Sequence, residues 1–458
     1  MNSTCLQLRG KTLKSNQKRI AEYIRNPNRR GLIAFHGTGS GKTLAAIAAI
    51  SCFLHDNPRS HVYVLTPTSV KEQFENELEG VGLLNDRVHV YPHVTFVLRF
   101  KEDKVPFVQH SMIVVDEAHL FANVDAVKVY PLKDEPRSST LYRACQRARK
   151  VLLLTATPAV NVAKQMYNYI KLIEGRHIAP KRSMDAVYDD VKCYVSYYKK
   201  ASDDSDYPEK EIHIKRFDMP LSYLSKYNKI ETETREDMES DGKDTKKNLK
   251  PFLTGVRRAS NRIDGEENPK VQYLVREILK HPHLRTVIYS SWRAAGVDYV
   301  QEKLRAHRIS FNEITGSSSK TKRKEAREAF NKGTTPVLFI TAAGAEGVDL
   351  KGCRRIYILE PYWTQSRHEQ VIGRGVRFES HIHLPPSERK VDVYYLVLQK
   401  PDNDNNNNNS NNNDFDELDF LSADDQVMLM CYKKGLKINQ LYERLSLGDY
   451  RSPDCQTR

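Results

Sequence analysis

Residues 36–43 read His36-Gly37-Thr38-Gly39-Ser40-Gly41-Lys42-Thr43. Glycines at every second position let backbone N–H groups turn inward on a polyphosphate without Cβ clashes. Lys42 stands where a lysine reaches β- and γ-phosphates, and the Thr43 hydroxyl where one ligates Mg²⁺. His36 occupies the place where such a loop usually opens on Gly or Ala. The plain alternative is a Gly-rich turn ahead of a core helix.

Other groups have complementary chemistry. Asp116-Glu117-Ala118-His119 offers two carboxylates and an imidazole. Asp116 suits a water-mediated Mg²⁺ contact, and Glu117 suits polarising a water that attacks a γ-phosphate. His119 is placed to link this loop to its neighbours. Thr155-Ala156-Thr157-Pro158 supplies small hydroxyls for hydrogen bonds to that loop. Arg374 and Arg377 are three apart, so they share a helix face and suit a role as arginine fingers. Each of these, taken alone, also reads as a capped turn or a solvated helix face.

Apolar runs position these groups. Strands are expected at 32–35, 61–65, 88–91, 112–115 and 151–154, with helical stretches between them. A second alternating set follows at 286–289, 309–314, 336–340, 355–359 and 391–398. Strand and helix in alternation imply parallel sheets covered on both faces. Ligands of such sheets sit beyond the carboxyl ends of the strands, where each motif falls. Thr66-Pro67-Thr68-Ser69 ends the second strand, and its hydroxyls suit a nucleic-acid backbone. Ser290-Ser291-Trp292 and the stretch from Thr341 through Gly347 to Asp349 end strands of the second set.

The expected organisation is an α/β protein of two domains of the same architecture, each with a parallel sheet. The first domain is expected at 1–172 and the second at 266–400. Residues 173–265 carry acidic clusters, alternating Lys and weak apolar periodicity, so they read as a charged insertion with short helices and loops. The Asn-rich tract at 401–414 has nothing to bury and is expected to be disordered. Residues 415–458 read as a helical tail.

Lys+Arg 72 against Asp+Glu 58 leaves a net charge of +14. That charge is compatible with a nucleic-acid partner, because Lys and Arg displace phosphate counterions. The seven cysteines form no Cys-x-x-Cys pair and read as reduced thiols of an intracellular, non-secreted protein. No apolar run is long enough for a membrane span.

In this order and spacing the motifs resemble those of superfamily 2 DEAH-box helicases and translocases. The resemblance covers most of residues 10–400. It implies an α/β fold of two recA-like P-loop domains with parallel sheets, ATP and Mg²⁺ as ligands, and single-stranded DNA or RNA as partner. Gln17, which position alone leaves as a solvated helix residue, becomes an adenine reader. The segment from Gln370 to Arg377 becomes a catalytic stretch. Gly347 and Asp349 join His119, Thr155 and Thr157 as coupling residues. Thr66, Pro67, Thr68, Ser290, Trp292 and Thr341 become nucleic-acid contacts.

A narrower resemblance runs through Ala343-Gly344-Ala345-Glu346-Gly347, Glu360-Pro361-Tyr362-Trp363 and Gln370-Val371-Ile372-Gly373-Arg374. It looks like the helicases of large DNA viruses, relatives of Swi/Snf-type ATPases that include poxvirus transcription proteins. This implies an ATP-driven motor in viral transcription, with contacts to transcription machinery, in a virion or in host cytoplasm or nucleus. The competing expectation is a nucleic-acid-binding scaffold that uses ATP only as a conformational switch. A P-loop kinase leaves the second domain without a purpose.

Overall fold

The computed structural model describes residues 3–37, 39–106, 108–121, 136–156, 162–176, 184–198, 207–240, 249–341, 344, 348–401 and 421–447. Thr38, Thr157, Gly347, the Asn-rich tract and the extreme C-terminus lie outside the described residues. The chain divides into two units, one of Met1–Asp203 with Leu436–Arg458, the other Asp204–Gly435.

The first unit holds six strands: β1 (Gly31–His36), β2 (Val62–Thr66), β3 (Val88–Pro92), β4 (Met112–Val115), β5 (Lys150–Thr155) and β6 (Val195–Tyr198). Their order is β3-β2-β4-β5-β1-β6, with every pairing parallel. The main helices between them are α1 (Ser15–Arg25), α2 (Lys42–Asp56), α3 (Lys71–Gly80), α4 (His93–Lys101), α5 (Arg137–Arg147), α6 (Val162–Glu174) and α7 (Met184–Val191). The strands are apolar at successive positions because both faces are covered. Leu32, Ala34, Val62, Val64, Met112 and Val114 pack in the layer of α1, α2 and α3. Ile33, Phe35, Tyr63, Leu65, Ile113 and Val115 pack in the layer of α4, α5 and α6. Helix α2 is small and apolar around most of its surface, and Ala45 to Ile50 are all fully buried.

The second unit repeats the plan. Its strands are β7 (Glu209–Asp218), β8 (Thr286–Tyr289), β9 (Phe311–Ile314), β10 (Val337–Ile340), β11 (Arg355–Ile358) and β12 (Lys390–Gln399). The parallel order is β7-β12-β11-β8-β10-β9. Helices α8 (Leu221–Ser240), α9 (Leu249–Val256), α10 (Pro269–Lys280), α11 (Tyr299–Ala306), α12 (Lys320–Lys332) and α13 (Gln365–Gly375) complete it, and α14 (Ala423–Leu447) begins there. Two apolar layers flank the sheet. A further core joins Tyr223, Tyr227, Leu253 and Val256 to Leu398, Ala423 and Val427. Beside it Lys270 and Asp424, both fully buried, pair at 2.7 Å.

Two expectations need revision. Residues 173–265 are not a separate charged insertion: β6 extends the first sheet, β7 edges the second, and α8 is 20 residues long. Strand β7 reads Glu-Lys-Glu-Ile-His-Ile-Lys-Arg-Phe-Asp, and its exposure hides the apolar signature of a strand. Nor are the cysteines all reduced. Cys5 and Cys52 form a disulfide, and Cys193 is also disulfide-bonded, whereas Cys145, Cys353 and Cys431 are free. The pair lies 47 positions apart and meets because the short helix Ser3–Leu6 packs on α2. Connectivity of that kind is invisible to spacing rules.

Candidate active site

Strands β2, β4, β5 and β1 are adjacent, so the loops leaving their carboxyl ends form one row. That row carries the residues at 66–69, 116–119, 155–156 and 37–43. The topology therefore gathers, from four distant stretches, groups that sequence order keeps apart.

At the β1 end, Lys42 Nζ donates to the carbonyls of His36 at 2.9 Å and Gly37 at 3.1 Å. The ammonium thus spans the opening of its own loop. Gly41 has φ +79°, a left-handed conformation that glycine adopts at low cost. Ser40 is buried, and its hydroxyl finds no hydrogen-bond partner among the described residues. Gln17, also buried, accepts from Lys14 N at 2.8 Å and donates to the Gly41 carbonyl at 3.3 Å. An amide has two donor hydrogens and two acceptor lone pairs, so each side of Gln17 keeps capacity for a base edge.

His36 is fully buried, with Nε2 3.0 Å from Ser196 Oγ of β6. Burial and the nearby Lys42 charge push its pKa down to about 3, so the ring is neutral. The side chain faces the sheet neighbour, and its backbone carbonyl serves Lys42. Ser196 was not expected at this site, because β6 itself was not legible.

At the β4 end, Glu117 adopts φ +51°, strained backbone for a non-glycine residue. Its amide donates to Asp116 Oδ1 at 3.0 Å. His119 Nδ1 lies 3.2 Å from Glu117 Oε2 and 3.2 Å from Thr155 Oγ1. One imidazole nitrogen therefore faces both the carboxylate and the hydroxyl at the end of β5. A residue with no motif signature stands behind this loop. His93, at the start of α4, is 8% exposed, and its Nε2 donates to the Asp116 carbonyl at 2.9 Å. Burial pushes its pKa down to about 4.

At the β2 end, Thr66 is buried and its hydroxyl donates to the Pro67 carbonyl, whereas Thr68 and Ser69 are exposed.

In the second unit, Ser290 is buried and donates to Glu360 Oε2 at 2.9 Å. Glu360 is fully buried and also accepts from Ser291 N and Asn261 Nδ2. Burial pushes its pKa above the ordinary carboxylate range. Trp292 stacks under Arg257 and Arg258, at 5.7 and 5.0 Å from its ring centre. Thr341 accepts from Gly344 N at 2.9 Å. Gly344 passes so near β9 that a Cβ there would lie 1.9 Å from the Ile314 carbonyl. Gln370 and Arg374 are half-buried on α13, whereas Arg377 lies beyond the end of that helix, so the expected shared helix face does not form; Arg377 Nε lies 3.6 Å from Asp349 Oδ1.

Two recA-like parallel sheets, with a polyphosphate loop, paired carboxylates and an arginine helix on strand ends, define an ATPase of the helicase class. Residues 269–379 match the helicase conserved C-terminal domain family, and residues 11–91 match the type III restriction enzyme, res subunit family. A relative named ATP-dependent RNA helicase L538, from Acanthamoeba polyphaga mimivirus, is 30% identical over 413 residues, covering 83% of this chain and 88% of that one. An uncharacterized ATP-dependent helicase, YqhH, of Bacillus subtilis (strain 168) is 22% identical over 438 residues, 83% of this chain and 74% of its own. A 61-residue stretch, 13% of this chain, is 44% identical to part of a termination factor NPH-I homolog of African swine fever virus, covering 9% of that protein. The chain belongs to the superfamily 2 helicases, alongside those of large DNA viruses, and is a nucleic-acid-dependent ATPase. No described helix is long and apolar enough to cross a membrane.

Proposed function

We propose that this ATPase moves along single-stranded DNA or RNA in viral transcription, converting each hydrolysis into a step. The observation that carries this reading is the row of loops on β2, β4, β5 and β1. In it the exposed Thr68 and Ser69 neighbour the strand that bears Asp116 and Glu117. The viral helicase relative from mimivirus and the termination factor homolog of African swine fever virus support a viral transcription setting. An intracellular site of action, within an infected cell or a virion, belongs to the same reading.

The residues suit a metal-bound triphosphate. The Ser40 hydroxyl is buried without a hydrogen-bond partner among the described residues, and Gly41 holds the left-handed φ of +79° that turns the loop, with Gln17 packed where a Cβ would stand. Thr43 and Asp116 would hold Mg²⁺, which supplies charge neutralisation at the phosphates. Lys42 exchanges its two carbonyl partners for phosphate oxygens. Glu117 orients the attacking water and draws its proton, while His119 fixes the carboxylate against Thr155. Arg374 and Arg377 stabilise the charge that develops on the γ-phosphate. Gln370, Asp349 and Gly347 help relay the state of the site. Trp292, Ser290 and Thr341 belong to the nucleic-acid side, with Ser290 acting through Glu360 because it is itself buried.

The test is ATP hydrolysis with and without single-stranded DNA or RNA, together with displacement of a bound protein block and of an annealed strand. Stimulated hydrolysis with displacement of either supports a motor. Nucleotide-dependent binding without displacement supports the switch-type scaffold instead.

A further inference from the structure

We propose that His93 is a positioning residue that ties the Thr66–Ser69 loop to Asp116 and Glu117, so that nucleic acid on the first sets the geometry of the second. The proposal rests on the functional reading above, in which the 66–69 loop meets nucleic acid and Glu117 directs water.

The bonding is local and directional. Strands β2 and β3 run in parallel register, with Thr66 opposite Pro92, so His93 starts α4 beside the end of β2. Asp116 N donates to the Leu65 carbonyl at 2.8 Å, and His93 Nε2 donates to the Asp116 carbonyl at 2.9 Å. A carbonyl only accepts, so Nε2 carries the hydrogen. The ring also lies against the Leu65 carbonyl. Its other contact is edge-on to Phe121, with ring centres 5.0 Å apart and planes at 83°.

Leu65 is the residue before Thr66, and Phe121 closes the short helix Ala118–Phe121 that contains His119. His93 therefore touches the Asp116 backbone, the Phe121 ring that follows the carboxylate pair, and the Leu65 carbonyl just before Thr66. It touches them through a fixed hydrogen bond and a ring face rather than through a mobile charged chain. Glu117 is held in a left-handed conformation between these anchors. Loss of the Asp116 anchor relaxes that conformation and uncouples it from movement of β2. Thr43, Lys42 and the rest of the phosphate loop do not depend on His93.

The experiment compares His93→Phe, His93→Gln and the parent as full-length protein. Phenylalanine keeps the ring against Phe121 and loses the donor; glutamine keeps an N–H donor. Melting temperature, ATP KM, basal turnover and stimulation by oligo(dT) and oligo(U) are measured on each. His93→Phe is expected to keep the ATP KM, to lose about twofold in basal turnover and to lose about tenfold in stimulation. His93→Gln is expected to recover most of that stimulation. Parent-like stimulation of His93→Phe, or glutamine no better than phenylalanine at equal melting temperature, overturns the proposal. A parent that hydrolyses ATP without response to either polymer overturns the motor reading itself, and the proposal with it.

Discussion

Gln17 and Gly41 are fitted against each other: a Cβ at position 41 would lie 2.4 Å from the Gln17 side-chain nitrogen. The same glycine sits at φ +79°, where an L-residue is strained by about 1 kcal/mol or more. Gly41→Ala is therefore expected to weaken ATP binding through two causes. Adding Gln17→Ala removes the clash but leaves the backbone strain and deletes the amide assigned to the adenine edge, so the double variant is not expected to regain the parent's affinity. Titration with a fluorescent ATP analogue checks this. Parent-like affinity for Gly41→Ala would mean that the loop does not close on phosphate in this conformation.

Lys42→Ala and Glu117→Gln separate binding from chemistry. Lys42 is the charge that spans the His36 and Gly37 carbonyls, so its loss is expected to weaken ATP binding and abolish hydrolysis. Glu117→Gln preserves size and hydrogen bonding but removes the base, so ATP affinity holds while turnover falls by about 10²-fold or more. Equal turnover in Glu117→Gln and parent would take the base assignment away from Glu117.

The ten strands expected from the sequence are all present, most of them because the inner strands of a parallel sheet covered on both faces are near-continuous Val, Ile and Leu; the edge strand β9, Phe-Asn-Glu-Ile, is an exception. What stayed hidden has physical reasons. Strand β7 is an exposed edge of alternating charges, with Ile212 and Ile214 open to solvent, so it reads as a loop. Strand β6, Val-Ser-Tyr-Tyr, is short and carries the hydroxyl that meets His36. His93 works through backbone carbonyls, which have no sequence signature at all. The placement of Thr66 and Ser290 also differs from a surface reading. Both hydroxyls are turned inward; on the first loop the exposed positions are Thr68 and Ser69, and on the second Ser291 and Trp292 are half-buried.

Three further buried histidines join His93 in giving the protein an acid-sensitive fold. Burial, then Lys42, holds His36 down at about 3, and Tyr198 covers its ring. Burial, then Arg257 and Arg367, holds His368 at about 3 among Tyr289, Tyr362 and Tyr395. His381 is held at about 4 by burial, with His383, Arg354 and Arg285 nearby, against a bond to the Cys353 carbonyl. In the unfolded chain each titrates near about 6.5. Below that pH the unfolded state binds protons that the folded state refuses, so stability falls as pH drops through this window. Each such histidine contributes a slope of about 1.4 kcal/mol per pH unit there. Melting curves from about pH 7.5 to about pH 5.5 should show the fall, and His368→Gln should flatten it. An unchanged slope in that variant would show that His368 is protonated in the fold.

The Cys5–Cys52 disulfide ties the N-terminal segment to the helix that follows the phosphate loop, across 47 positions. Closing a loop of that length typically stabilises a fold by about 2–4 kcal/mol. Cys5→Ser is expected to lower the melting temperature of the non-reduced protein and to remove part of its response to reductant. ATP affinity should fall less than in Gly41→Ala, because no group on the phosphate loop is altered. A melting temperature equal to the parent's would mean that the segment 3–14 is held by packing alone.

Arg377→Ala tests the most distant assignment in the sequence. Arg377 Nε lies 3.6 Å from Asp349, and both side chains remain partly exposed at 27% and 48%. A pair of that kind contributes little to stability, about 0–1 kcal/mol, so the variant should fold normally. If Arg377 stabilises charge on the γ-phosphate during transfer, ATP affinity changes little and stimulated turnover falls by about 10³-fold or more. Arg377→Lys should fall nearly as far, because an ammonium cannot reproduce the planar fork. Asp349→Asn provides the complementary reading. It frees Arg377 from its present partner while leaving the guanidinium in place, so turnover should fall far less than in Arg377→Ala. A solvated surface arginine predicts the opposite pattern, with normal turnover and a small loss of nucleic-acid affinity of the size one phosphate contact supplies. Turnover of Arg377→Ala at the parent rate with saturating nucleic acid would remove this arginine from the chemistry and leave Arg374, on α13, as the remaining candidate.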